Sequence, residues 1–175
     1  EGPVDTVPVS EFHIHSEIYK ARPEIGAVLH AHPKVPILFT IVEGAELIPV
    51  VNHAYRWRNG ITVHPDTAHI DTPDLGKDMV QTMGDANAVL LRAHGIVLAS
   101  EDIKSLLIDG VHFDRNAQAL LEASRLGTPI PMSDADFDVF EARFNREKHG
   151  IKLWRHYSAT ALEAGTIPDV WRDAI

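Results

Sequence analysis

Two apolar stretches that each end in histidine constrain this chain more than any other feature of its sequence. The first is Ala27-Val28-Leu29-His30-Ala31-His32-Pro33, a run of strand formers closed by proline. Side chains at i and i+2 of a strand point to the same face. His30 and His32 are therefore expected side by side, and such a pair is costly to bury unless something satisfies both rings. The second is Ala88-Val89-Leu90-Leu91-Arg92-Ala93-His94-Gly95, which delivers one histidine just before a glycine. Together they point to a three-histidine metal centre at His30, His32 and His94. Three neutral imidazoles leave coordination positions open for a chelating substrate, which is the layout of a catalytic site.

Composition narrows the chemistry further. At 175 residues, one domain over residues 1–175 with a real core is the expectation. Cysteine is absent, which excludes disulfides, thiolate ligands and a Cys nucleophile. The net charge of −9, without any Lys/Arg block, argues against nucleic acid and acidic membrane surfaces as partners. No apolar run approaches the roughly 18 residues of a membrane span, and no signal-peptide pattern opens the chain. A cytoplasmic protein with a small-molecule substrate is the default. GxSxG, P-loop and GxGxxG motifs are missing, and His13 and His15 lack HExxH spacing.

Read in order, residues 1–9 form an extended lead-in. A helix is expected over Ser10 to Ala21, with Ser10 as N-cap and Glu11 in the first turn, stopped by Arg22-Pro23. After the His-Ala-His strand, Val35 to Val42 reads as a short buried helix or a strand, with Pro36 in the first turn favouring the helix. Leu47 to Val51 and Ile61 to Val63 read as strands. Thr72-Pro73 starts a helix that ends at Gly84. Val89 to Arg92 and Ile96 to Ala99 are strands. Ser100 is expected to cap a long amphipathic helix that ends at Gly127. Thr128 to Pro131 is a rigid connector, Ser133 to Asp136 caps a last surface helix over 135–148, and a tail carries Trp154-Arg155-His156-Tyr157. Several strands follow one another directly, so a mixed or antiparallel sheet layered with helices is expected, not a strict βαβ order.

An acid–base partner for the metal must be a carboxylate. Glu11 and Glu17 both precede the histidine pair, and chemistry alone does not separate them. His53, His64, His69, His112 and His149 have no partner pattern and read as ordinary polar residues.

The pattern Ser10-Glu11-Phe12-His13-Ile14-His15, then Tyr19-Lys20-Ala21-Arg22-Pro23 leading to His30-Ala31-His32-Pro33, then Leu90-Leu91-Arg92-Ala93-His94-Gly95, resembles the class II aldolase/adducin family over residues 10–127. The resemblance implies a three-layer α/β/α sandwich with a largely antiparallel central sheet. It also implies one divalent metal ion (Zn, Mn, Fe or Co) on His30, His32 and His94, with Glu11 rather than Glu17 as the catalytic acid/base. Family members are commonly tetramers with sites near subunit interfaces, so a homo-oligomer is expected. The family has a longer N-terminal region whose loops hold a sugar phosphate, and most of it is missing here, so phosphate-binding residues are not assigned.

Pro33, the Thr72-Pro73-Asp74-Leu75 helix start, the Gly127 to Ser133 connector and Trp154-Arg155-His156-Tyr157 are more similar to the family's dihydroxyphthalate-type decarboxylases than to its sugar aldolases. A metal-dependent lyase that decarboxylates a hydroxylated aromatic carboxylate through a metal-stabilised enolate is therefore the leading expectation. Arg155 and His156 are candidates for holding the substrate carboxylate, and Tyr157 for donating a hydrogen bond or carrying a proton. All three residues also suit simple packing of the tail. A sugar-phosphate aldolase or epimerase is the alternative. A non-catalytic adducin-like module is a third, disfavoured because Glu11 and all three histidines are present.

Overall fold

The computed structural model describes residues 7–174, so the expected lead-in lies outside it up to residue 6; residues 7–9 are irregular. The chain builds helix α1 (Phe12–Ala21), strand β1 (Ala27–Ala31), α2 (Lys34–Leu38), a 3-10 helix (Asn52–Trp57), β2 (Thr62–His64) and α3 (Pro73–Met83). It continues through β3 (Ala88–Leu91), β4 (Gly95–Ser100), α4 (Ile103–Leu126), α5 (Asp134–Glu141), α6 (Arg146–Glu163) and a 3-10 helix (Asp169–Ala174).

The four strands lie in the order β1-β4-β3-β2. β4 pairs antiparallel with both β1 and β3, and β2 joins β3 in parallel. Alternation along the strands sorts the core into two layers. Val28, Val89, Leu91, Val97 and Ala99 face Ile14 and Ile18 of α1 and Met79 and Met83 of α3. Leu29, Leu90, Ile96 and Leu98 face Leu106, Phe113 and Leu120 of α4. The result is the expected α/β/α sandwich with a largely antiparallel sheet. α6 packs outside α4. Among the described residues, no helix is long and apolar enough to cross a membrane.

Local chemistry sets the boundaries. Thr72 accepts from the Leu75 N–H and Pro73 occupies the first helical position of α3, as expected; such a cap is worth about 1 kcal/mol. Five expectations need correction. Ser10 does not cap α1: Glu11 is the N-cap, and its side chain accepts no bond from the helix. Asp102, not Ser100, caps α4 through the Lys104 and Ser105 N–H groups, while the Ser100 hydroxyl donates to Asp109 inside the protein. Residues 47–51 form no strand. The Asn116 side chain of α4 takes the Val50 N–H and donates to the Ile48 carbonyl, so those groups have no need of a ladder. The helix expected over 35–42 is only five residues long and begins at Lys34. The helix expected over 135–148 is two: Ser133 closes a capping box on α5, and Asn145 opens α6 by accepting from the Lys148 N–H. The expected tail around Trp154 is thus part of α6.

Candidate metal centre

Four donors converge at one end of the sheet. His30 lies near the end of β1 on the face of α1 and α3, and His32 follows just beyond the strand. His94 sits in the turn between β3 and β4, and Glu11 is the N-cap of α1. One ligating atom of each residue lies within 4.8 Å of those of the other three. The His30 and His32 Nε2 atoms are 3.1 Å apart, so the period-two reading of the strand holds one residue past its end. Glu11 Oε2 lies 3.3 Å from His30 Nε2, and Oε1 lies 3.4 Å from His94 Nε2.

The surrounding backbone aims these groups. The Nδ1 of His30 lies 3.0 Å from the Ile96 carbonyl; donation there fixes the tautomer and turns the Nε2 lone pair toward the other donors. The turn before His94 needs Ala93 at φ 55°, a left-handed conformation that costs a residue with a Cβ about 1 kcal/mol. The Thr40 hydroxyl holds it by accepting the Ala93 N–H at 2.9 Å. Gly95 follows, where a Cβ would stand 2.5 Å from the Ala31 carbonyl oxygen and 2.8 Å from the His32 ring.

The donor set fits a divalent cation of the class that imidazole and carboxylate select together, with three nitrogens and an adjacent anionic oxygen. Burial works to raise the Glu11 carboxyl, but the Ile70 N–H and the neighbouring His94, His30 and His69 outweigh it and hold the group below the usual carboxylate range. Burial is the main force holding His94 below the usual imidazole range, with Glu11 working the other way. His15 is depressed by burial and by His30.

Glu17, the other candidate carboxylate, does not join the centre. It is buried on α1 and pairs with Lys20 at 2.5 Å. His69 does join its edge: it is exposed, with Nδ1 3.5 Å from Glu11 Oε1. It sits in an irregular loop with no periodic signal, and only the fold places it there. Arg155, His156 and Tyr157 stand on α6, beyond α4 and so on the opposite side of the sheet, with Arg155 and His156 exposed. His64 is buried, with Nδ1 2.9 Å from the Thr82 hydroxyl, as a satisfied core histidine.

A family model described as the class II aldolase and adducin N-terminal domain matches residues 1–121. A 3,4-dihydroxyphthalate decarboxylase of Rhodococcus jostii (strain RHA1) is 31% identical over 160 residues, covering 86% of this chain and 64% of the relative. An L-fuculose phosphate aldolase of Escherichia coli (strain K12) is 25% identical over 150 residues, covering 84% of this chain and 67% of the relative. The chain thus spans less than two thirds of the length of the decarboxylases it matches. In fold it is similar to the crystal structure of an aldolase II superfamily protein from Pseudomonas syringae. The TM-score is 0.77 at 17% identity, over 94% of this chain and 67% of that one.

Proposed function

This chain belongs to the class II aldolase and adducin family, and from that premise we propose that it carries the catalytic centre of a metal-dependent lyase that decarboxylates a hydroxylated aromatic carboxylate. The observation that carries the reading is the placement of Glu11 against His30 and His94, an ionisable carboxylate beside a cluster of imidazole donors. The choice of decarboxylation rests on similarity to the 3,4-dihydroxyphthalate decarboxylases.

His30, His32 and His94 would hold the cation, His30 with its tautomer set by the Ile96 carbonyl. When bound, a divalent cation there supplies Lewis-acid stabilisation of negative charge developing on adjacent substrate oxygens. Glu11, ionised near neutral pH, starts as the base. It takes the proton of a ring hydroxyl beside the carboxylate and returns it to the ring carbon as CO2 leaves. The Ile70 N–H holds Glu11 Oε1 in place between those two steps, with His69 Nδ1 3.5 Å away.

The test is CO2 release from a panel of ortho-hydroxylated aromatic carboxylates, with metal content measured on the same samples. Glu11→Gln is expected to retain a metal ion, bound more weakly, and when metal-loaded to lose about 10²-fold or more in kcat, the usual scale for removing an acid–base group. His94→Ala is expected to lose both metal and activity. Release that is unaffected by Glu11→Gln would sink the assigned role of that residue. Cleavage of a ketose phosphate without any CO2 release would replace the decarboxylase with the aldolase, the reading that the fuculose phosphate aldolase similarity supports.

A further inference from the structure

A second histidine cluster stands apart from the first. His53 comes from the 3-10 helix, His112 from the middle of α4 and His149 from the first turns of α6, and one ring nitrogen of each lies within 4.8 Å of the other two. We propose that His53, His112 and His149 form a second divalent-metal site, of the transition-metal class that imidazole binds, and that it clamps α6 to the body of the protein.

Its geometry repeats that of the first cluster. His112 Nε2 and His149 Nε2 are 3.2 Å apart, against 3.1 Å for His30 and His32. Ring centroids are separated by 4.4, 5.0 and 5.2 Å, against 4.7, 5.0 and 5.1 Å. The outer hydrogen bond is also repeated. His53 Nδ1 lies 2.6 Å from Asn52 Oδ1, where donation leaves its Nε2 as a free lone pair, as the Ile96 carbonyl does for His30. Phe140 and Phe144 pack against His53 and shield it, while His112 is only 3% exposed.

The two sites differ in charge. The first includes the Glu11 carboxylate, whereas the second offers imidazoles alone and has Arg115, Arg146 and Lys152 nearby. A cation is therefore held less tightly there, and the second site is expected to fill after the first, with affinity lower by about tenfold or more.

Metal-free protein titrated with Zn(II) against a chromophoric chelator, and with Co(II) by visible absorption, decides the matter. The unaltered chain is expected to bind two equivalents. The triple variant His30→Ala/His32→Ala/His94→Ala should keep only the weaker, and His53→Ala/His149→Ala only the tighter. His112 is left in place so that the core is untouched, and circular dichroism of the metal-free variants checks their fold. Filling the weaker site is expected to slow hydrogen exchange across residues 146–163. If the first site proved empty of metal, the second would still appear as one equivalent that the triple variant retains. A triple variant that binds no Zn(II) and gives no Co(II) spectrum overturns the proposal, as does a His53→Ala/His149→Ala chain that binds as much as the unaltered one.

Discussion

Gly95 shows how one missing side chain can organise a site. His30 comes from β1, His32 from just beyond its end and His94 from the turn that feeds β4, and Gly95 is where those segments touch. Its Cβ would collide with the Ala31 carbonyl and press on the His32 and His30 rings, at 2.5, 2.8 and 3.2 Å. Gly95→Ala is therefore expected to cost about 1–3 kcal/mol of stability and to weaken metal binding, measured by thermal melting and metal titration together. A variant that keeps full metal affinity would show that the contact is not what sets the rings. At this scale the sequence was informative where periodicity acts. His30 and His32 were legible because strand geometry forces them together, and His94 because it closes a matching apolar run. His69 was not, because it reaches Glu11 from an irregular loop. Nor were His53, His112 and His149, which arrive from three separate elements with no spacing in common.

Helix α1 carries Glu11, and what seats α1 is its crossing with α3. Gly76 lets the two approach closely: a Cβ there would lie 2.8 Å from the His13 carbonyl oxygen and 2.7 Å from the Glu17 side chain. Gly76→Ala is expected to push α1 outward and to cost about 1–3 kcal/mol. Because none of the three candidate histidine ligands sits on α1 or α3, this variant should keep its metal while kcat falls, the reverse of Gly95→Ala. Loss of metal from Gly76→Ala would refute that division of labour. The helices and inner strands were readable from caps and apolar periodicity, as at Thr72-Pro73 and Val89–Leu91. Two of the misreadings come from tertiary context. Residues 47–51 have the composition of a strand, but Pro49 lacks an N–H and Asn116 supplies the partners a ladder would give. Ser100 resembles a cap, but it is the last residue of β4, paired with Ala27, and Asp102 caps α4 in its place. In both cases tertiary pairing decided what the local pattern left open.

For the whole molecule, the sandwich separates the residues assigned to one reaction. Glu11 and the metal cluster lie on the α1/α3 face, while Arg155, His156 and Tyr157 stand on α6 behind α4. Were α6 to take part in the proposed lyase, it would do so at the site of a second copy. Mixing inactive Glu11→Gln and Arg155→Ala chains should then restore activity to about a quarter of the unaltered level, since a random assembly leaves that share of shared sites intact. No recovery on mixing would remove α6 from the chemistry. The alternation that puts Val28 and His30 on one face and Leu29 and Ala31 on the other also dictates how the chain tolerates length changes. A single residue inserted between Gly26 and His30 would move His30 to the α4 side and bring an apolar neighbour to the candidate metal centre, because a strand has a reading frame of two. The same insertion in the connector at 128–131 shifts no face at all. Insertional scanning should therefore find a short window, a few residues wide, in which the chain counts its own length.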